Sequence, residues 1–178
     1  SELMIMTAEP ELDLSKIESG NFIINKASFN LVEVLDELQD LFESMAQQKN
    51  LQLSFSLAPD TPICLTGDSL RLRQVLINLI GNALKFTENG SIAISISASA
   101  MPQKASTPLF LFEVLDTGIG IPEYAQRRVF LNFIQGDGSG TRSYGGTGLG
   151  LAVSKNLVEL MQGEIGVDSI EGRGSRFW

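Results

Sequence analysis

The sequence predicts an α+β fold: a two-layer α/β sandwich in which a mixed sheet of about five strands is covered by about three helices. Two kinds of apolar periodicity carry this prediction. Residues 51–57 alternate apolar and polar side chains, which indicates a strand with one wet face. Residues 72–83 repeat apolar side chains at helical spacing, which indicates an amphipathic helix. Elements that each bury one face pack as layers around one core.

The first part of the chain is expected to contain a short strand, a helix and a second strand. The apolar run Phe22–Ile24 predicts the short strand. Asn30 with Glu33 three residues later is typical of a helix N-terminus. Apolar residues keep helical spacing from there to about Lys49, and the alternating strand 51–57 follows.

A second long helix is predicted over 68–85, with Asp68 as its N-cap. Asn89–Gly90 predicts a turn, after which residues 91–96 place isoleucines on one face of a strand. Residues 109–115 are nearly all apolar, as expected for a strand at the centre of the sheet.

The last third should begin with a helix from Pro122, at the first helical position, to about Gln135. Residues 136–150 hold seven of the seventeen glycines without a periodic apolar face, so a mobile loop is expected there. A helix from about Gly148 to Met161 should follow. Residues 164–168 and a strand from Ser175 onward are expected to form a final hairpin.

Length and composition indicate one domain with a real core, since the chain has 178 residues of which 43% are hydrophobic. No apolar run reaches the roughly 18 residues of a membrane helix, and no signal peptide is visible. The cytoplasm is therefore the expected compartment. The single cysteine, Cys64, lies in an apolar stretch and is expected to be a small core residue.

The net charge of −8 is unevenly distributed along the chain. Residues 1–66 hold three basic and eleven acidic side chains, whereas residues 67–178 hold ten of each. A nucleic-acid surface would show a basic excess, so no nucleic-acid partner is expected. The neutral second part can accommodate a polyphosphate, and the acidic first part is expected to be a solvated helical face.

Polar residues on the helix 68–85 form the first candidate site. Asn78 and Asn82 are four residues apart and share a helical face, and Lys85 lies nearly one turn further along. Amide oxygens at this spacing can meet Mg²⁺, which takes few protein ligands and fills its other positions with water and phosphate. Lys85 supplies a positive charge for phosphate. The alternative is that both amides only satisfy backbone groups or solvent.

The second candidate site follows the central strand. Asp116 ends that strand, and Gly118 and Gly120 come directly after it. A carboxylate accepts a hydrogen bond from the amino group of adenine but repels the O6 acceptor of guanine. The glycines would let the backbone approach the base closely. The alternative is an ordinary Asp-x-Gly turn.

The third candidate site is the glycine loop that leads into the helix at Gly148. Free N–H groups at a helix start favour phosphate, and Arg142 in the loop could add charge. Known glycine-rich motifs do not explain this loop. No Gly-Lys-Ser/Thr occurs, no strand leads directly into the glycines, and the chain has no histidine for the His-Arg-Asp loop of eukaryotic-type protein kinases.

In this order the motifs resemble the conserved boxes of the catalytic ATP-binding domain of sensor histidine kinases. Residues 78–86 resemble the N box, 116–120 the G1 box, 130–135 the F box and 146–151 the G2 box. Residues 15–20 resemble the end of the dimerisation helices that precede this domain. The likeness covers residues 12–178 and is closest to hybrid kinases of bacterial two-component systems.

The resemblance implies a Bergerat-type fold, shared with gyrase B, Hsp90 and MutL, that binds ATP or ADP with Mg²⁺. Asn82 would hold Mg²⁺ with the help of Asn78, Lys85 would contact phosphate, and Asp116 would bind the adenine amino group. Residues 122–147 would form the ATP lid. The remaining nucleotide-site residues implied by the boxes are Phe86, Gly118, Gly120, Ile121, Phe130, Phe133, Arg142, Gly146, Thr147, Gly148, Leu149 and Gly150.

The chain departs from the family pattern because it has no phosphoacceptor histidine. Residues 1–19 are therefore interpreted as a remnant or replacement of the dimerisation helix. Residues 20–178 are interpreted as the ATP-binding domain, truncated in its last strand at Trp178. The expected partners are the histidine-containing dimerisation domain of the same protein and a response-regulator receiver domain. No membrane contact by this chain is expected, although the full-length protein could be anchored in the inner membrane.

The resemblance implies a kinase that donates the γ-phosphoryl of ATP to a histidine outside this chain, so no catalytic residue is assigned here. Related ATPases carry a glutamate as general base at the position of Asn78, and an amide cannot accept a proton at a useful pKa. The sequence leaves two alternatives open: a catalytically silent nucleotide-binding regulatory module and a clamp-type ATPase.

Overall fold

A computed structural model describes residues 22–99, 109–131 and 149–178 of the chain. In this part of the chain three long helices and one short helix accompany seven strands. The helices are α1 (Leu31–Gln48), α2 (Ser69–Phe86), α3 (Glu123–Gln126) and α4 (Gly150–Leu160). The strands are β1 (Ala27–Asn30), β2 (Gln52–Leu57), β3 (Cys64–Gly67), β4 (Ser91–Ser99), β5 (Leu109–Asp116), β6 (Val167–Ile170) and β7 (Gly174–Phe177).

The main sheet has five strands in the order β2-β4-β5-β7-β6. The pairing of β2 with β4 is parallel and the other pairings are antiparallel, so the sheet is mixed, as predicted. A separate two-stranded ribbon pairs β1 with β3. The long helices supply the second layer, and the predicted α+β sandwich is confirmed.

Side-chain caps begin the first two helices where the sequence predicts them. Asn30 Oδ1 accepts a hydrogen bond of 2.9 Å from the Val32 backbone N–H. Asp68 Oδ1 accepts one of 3.1 Å from the Arg71 N–H. Each bond satisfies one of the N–H groups that a helix start leaves without an internal partner.

The hydrophobic core lies between the helices and one face of the main sheet. It joins the apolar stripes of α1, α2 and α4 to the inward side chains of β4, β5 and β7. The isoleucines of β4 are at most 1% exposed. Fully burying each such side chain stabilises the fold by roughly 1.5–3 kcal/mol. The fully buried side chains of largest volume include Leu31, Leu38, Leu76, Ile80, Ile92, Ile94, Ile96 and Leu157.

Strand β5 has the predicted central position, but only one of its faces is covered. Val114 and Asp116 point into the core, whereas Leu109 is 70% exposed and Leu115 is 48% exposed. Arg176 on β7 bonds to Glu113 and Asp168 across this open face. The continuous apolar run therefore reflects a strand with one open face, not burial on both faces.

The structure corrects two predictions in the first part of the chain. Residues 22–26 are not a strand, because the N–H of Asn25 donates to Asp68 Oδ2 at 2.9 Å instead of a strand neighbour. The strand begins at Ala27. Cys64 is exposed and lies in β3, a strand that the sequence analysis did not predict.

The helix predicted from Pro122 to Gln135 is too long. Helix α3 covers only Glu123–Gln126, and turns follow over 127–130. None of its residues is buried, and Tyr124 is 80% exposed, so no apolar stripe sustains a longer helix. The final hairpin is confirmed, although its first strand begins at Val167, later than expected.

None of the described helices is long and apolar enough to cross a bilayer. The predictions for residues 1–19 and for the loop over 136–148 lie outside the described residues.

Candidate functional site

Helix α2 presents the first group of predicted site residues. Asn78, Asn82, Lys85 and Phe86 are all half-buried on or beside one face of this helix. Asn82 makes no side-chain hydrogen bond within the described part of the chain, so its amide is available to a ligand. The Lys85 ammonium lies 5.0 Å from the centroid of the Phe86 ring, within reach of a cation–π interaction.

An open groove of about 310 Å³ runs between the C-terminal ends of α1 and α2. Lys85 and Gly81 are among the residues that line it. At this end Lys49 Nζ donates a hydrogen bond of 2.6 Å to the Leu84 carbonyl, which fixes the end of α2 against α1. Lys85 is thus placed between this groove and the polar face of α2.

Asp116 lies at the end of β5 and is only 5% exposed. Its Oδ1 accepts a hydrogen bond of 2.8 Å from the Gly118 N–H. Burial raises the pKa of Asp116 above its ordinary value, and backbone hydrogen bonds from Gly118 and Ser175 oppose that rise. A buried carboxylate with remaining acceptor capacity can recognise an amino group strongly, because charge-assisted hydrogen bonds are about twice as strong as neutral ones.

The loop after Asp116 is attached directly to the end of α2. The Ile119 N–H donates to the Phe86 carbonyl at 3.2 Å. A Cβ at Gly118 would overlap the same carbonyl oxygen, so only glycine permits this approach. The structure therefore brings the first and second candidate sites into contact.

Gly120 and Ile121 continue this loop along the edge of the main sheet. Gly120 has φ +68°, and a Cβ there would overlap the Ile170 carbonyl. The Ile121 N–H donates to Ser169 Oγ at 2.7 Å, and the Gly172 N–H donates to the Ile119 carbonyl at 2.7 Å. The loop is therefore fixed on α2 at one side and on the β6–β7 turn at the other.

The start of α4 lies against α2. Leu149 is 2% exposed and precedes the first residue of α4, Gly150, and no side chain of the described residues caps this helix. Asn78 Nδ2 donates a hydrogen bond of 2.9 Å to Ser154 Oγ on α4. A Cβ at Gly150 would overlap the Asn78 side chain, so this glycine admits the asparagine. The third candidate site thus joins the first.

Phe130 is partly buried and packs against the hydrophobic core. Its ring meets Phe177 edge-on, with centroids 6.3 Å apart and an interplanar angle of 81°. The other predicted lid residues lie outside the described residues; they are Phe133, Arg142, Gly146, Thr147 and Gly148.

Sequence reasoning missed two residues that shape this site. Ser154 binds Asn78, and its position four residues after Gly150 on one face of α4 was the available signal. Gly174 has φ +109° and lies against the backbone of Asp116, where a Cβ would overlap the Asp116 carbonyl. A glycine next to a turn carries too little information to predict such a long-range contact.

Comparison with known proteins identifies the family. Residues 67–178 match the family described as "Histidine kinase-, DNA gyrase B-, and HSP90-like ATPase". This chain belongs to that family. Helix α1 and strand β2 precede the matched residues, yet they pack in the same hydrophobic core.

The signal transduction histidine-protein kinase BarA of Escherichia coli (strain K12) is 44% identical over 168 residues, which cover 94% of this chain and 18% of BarA. The chain thus spans less than a fifth of this relative. The crystal structure of full-length ShkA in complex with AMPPNP superposes with a TM-score of 0.81 at 30% identity, covering 99% of this chain and 35% of ShkA.

The histidine kinase ThkA, in its crystal structure with the response regulator TrrA, superposes with a TM-score of 0.67 at 25% identity. This match covers 96% of the present chain and 46% of ThkA. The chain is therefore a nucleotide-binding catalytic domain of the sensor histidine kinase type.

Proposed function

We propose that this chain binds Mg²⁺–ATP and presents the γ-phosphoryl group to a histidine on a separate dimerisation domain. The observation that carries the proposal is the contact between the Asp116 loop and the end of α2. This contact joins the loop that follows the buried Asp116 carboxylate to the end of the helix that carries Asn82 and Lys85. The γ-phosphorus–oxygen bond would break, a phosphorus–nitrogen bond to imidazole would form, and ADP and a proton would leave.

Asp116 supports adenine as the base. Its carboxylate would accept the adenine amino group, whereas guanine would place an acceptor oxygen against it. The backbone beside it belongs to Gly118, Gly120 and Ile121, and Phe86 is the last residue of α2.

The residues of α2 and α4 fit a magnesium-bound phosphate chain. Asn82 offers an amide oxygen without a hydrogen-bond partner in the described residues, and the start of α4 at Leu149 and Gly150 has no side-chain cap. No group of three or more acidic, cysteine or histidine side chains suited to a metal occurs among those residues. This agrees with a metal held by few protein ligands. Mg²⁺ supplies charge stabilisation between phosphate oxygens when bound.

The remaining residues of the lid stay predictions. Phe130 would anchor its first part through the contact with Phe177. Contacts with the nucleotide are proposed for Phe133, Arg142, Gly146, Thr147 and Gly148.

The amide at position 78 supports a kinase over a clamp-type ATPase. Asn78 occupies the position at which related ATPases carry a glutamate, and its amide nitrogen is already bound to Ser154. The chain contains no histidine, so the nucleophile must come from elsewhere. Catalysis here would then consist of positioning and charge stabilisation.

Further proposals concern the whole protein. We propose residues 1–19 as a remnant or replacement of the dimerisation helix and 20–178 as the ATP-binding domain. The partners would be the dimerisation domain and a response-regulator receiver domain, as the ThkA–TrrA complex suggests by analogy. The proposed compartment is the cytoplasm.

The decisive experiment mixes this chain with a separately purified histidine-bearing dimerisation domain and γ-labelled ATP. Label transfer to that domain is expected, with none in the chain alone, and Asp116→Ala should reduce it. Binding of ATP without transfer would instead indicate a regulatory module. Steady hydrolysis by the chain alone would indicate a clamp-type ATPase.

A further inference from the structure

The side chain of Asn78 contacts α4 at two positions one helical turn apart. Its Nδ2 donates a hydrogen bond of 2.9 Å to Ser154 Oγ, and Ser154 is 2% exposed. The whole amide group lies against Gly150, because the three atoms nearest to a Cβ built there are the Oδ1, Cγ and Nδ2 of Asn78. Since Gly150 and Ser154 are four residues apart on α4, they form one surface that receives this amide.

We propose that Asn78 is a positioning residue for the nucleotide phosphates, not a metal ligand, and that it acts through Ser154 and Gly150. The amide holds the start of α4 at a fixed distance from Asn82 and Lys85. This inference rests on the proposed function, because it assumes that phosphates lie between the two helices.

The energetics favour this role. The buried Ser154 hydroxyl has the half-buried Asn78 amide as a hydrogen-bond partner, so losing Asn78 removes this partner from a hydroxyl that is nearly closed to solvent. The N–H groups at the start of α4 carry the positive end of the helix dipole, which acts only over about one turn. A small displacement of α4 would therefore weaken phosphate binding, while adenine recognition at Asp116 would be unaffected.

The test compares Asn78→Ala, Ser154→Ala and the double variant. Binding of ADP is measured by calorimetry with and without Mg²⁺, and binding of adenosine, which lacks phosphates, is followed by chemical-shift changes. Each single variant should lower ADP affinity about three- to tenfold. The double variant should lose no more than the larger single effect. Adenosine affinity and the ratio of ADP affinities with and without Mg²⁺ should stay at their wild-type values.

A second pair of variants tests the contact without relying on those truncations. Gly150→Ala should lower both the melting temperature and ADP affinity, because the added Cβ overlaps Asn78. Combining it with Asn78→Ala should relieve that overlap. In the Asn78→Ala background, Gly150→Ala should therefore lower the melting temperature and ADP affinity much less than it does in the wild type. Melting curves of the nucleotide-free protein report the contact, and ADP binding reports its consequence.

Several results would overturn the proposal. Loss of the Mg²⁺ effect in Asn78→Ala but not in Ser154→Ala would make Asn78 a metal ligand. The contact would not position phosphates if the losses of ADP affinity were additive in the double variant, or if ADP and adenosine binding were lost equally. The same conclusion would follow if Asn78→Ala did not reduce the effects of Gly150→Ala. If the wild type bound neither ADP nor adenosine, the proposed function would fail, and this inference with it. Wild-type binding with additive losses would overturn the inference alone.

Discussion

The proposed nucleotide site has an adenine side around Asp116 and a phosphate side around Asn82 and the start of α4, and the two sides are built differently. On the adenine side the backbone N–H groups have partners within the protein. Gly118 donates to Asp116, Ile119 donates to Phe86, and Ile121 donates to Ser169. On the phosphate side Asn82 has no side-chain hydrogen bond among the described residues, and α4 begins without a side-chain cap. The base side is closed by internal contacts, whereas the phosphate side keeps polar groups for a ligand.

Because of this difference, substitutions on the two sides should affect stability and binding to different extents. Changes on the adenine side should disturb folding as well as affinity, because the loop is tied to α2 and to the β6–β7 turn. On the phosphate side a change at Asn82 should alter affinity or metal dependence with little loss of stability, because its side chain makes no hydrogen bond among the described residues.

The largest effect should come from Gly120→Ala on the adenine side. Its positive φ costs an L-residue roughly 1–2 kcal/mol. Overlap with the Ile170 carbonyl adds to this, so the free energy of unfolding should fall by about 2–4 kcal/mol. The measurement is urea denaturation, and the matched control is Gly172→Ala. Gly172 has a similar φ of +77° but no atom within 4 Å of its added Cβ, so about 1 kcal/mol is expected there. Equal losses in the two variants would show that this side of the site is not tightly packed.

Asp116→Ala should abolish most of the recognition of the base. It removes a charge-assisted hydrogen bond of roughly 1.5–3 kcal/mol, so ATP affinity should fall about 10- to 150-fold. Calorimetry provides the measurement, with Asp168→Asn as a control that changes an exposed carboxylate on the open sheet face. Unchanged ATP affinity in Asp116→Ala would remove this residue from the base site.

Asn82→Ala should change metal dependence without changing stability much. ADP affinity should fall about tenfold or more in the presence of Mg²⁺ and much less in its absence. Binding with and without Mg²⁺ and a melting curve measure this. An equal loss under both conditions would mean that Asn82 contacts the nucleotide and not the metal.

The pH dependence should have opposite signs for stability and for binding. Burial raises the pKa of Asp116 in the folded protein, so its contribution to stability is present at low pH and is lost as pH rises through that pKa. Adenosine binding requires the ionised carboxylate and should strengthen over the same interval. The free energy of unfolding and the adenosine affinity are measured as functions of pH for the wild type and for Asp116→Asn. If stability and adenosine affinity changed in the same direction with pH, this assignment would be contradicted. The same holds if Asp116→Asn kept the pH profile of the wild type.

The sequence predicted local structure better than long-range contacts. The caps Asn30 and Asp68 were predictable because each signal lies within four residues of the group that it satisfies. The bond between Asn78 and Ser154 spans 76 positions, and no local pattern encodes such a pairing. The helix predicted to continue to Gln135 ended early because its turn residues bury no apolar stripe. Motif spacing thus predicted candidate site residues, whereas the internal contacts of those residues required the fold.

The smallest expected effect concerns Gly81, one of two helical glycines beside the phosphate side. Gly81 in α2 has no atom within 4 Å of an added Cβ, whereas Gly150 in α4 has Asn78 there. Gly81→Ala should therefore stabilise the protein by about 0.5–1 kcal/mol, because alanine loses less backbone entropy in a helix. A rise of roughly 1–4 °C in the melting temperature is expected for a domain of this size, with ADP affinity unchanged. A lower melting temperature would show that the groove beside Lys85 does not tolerate a methyl group. Weaker ADP binding at unchanged stability would extend the nucleotide site into that groove.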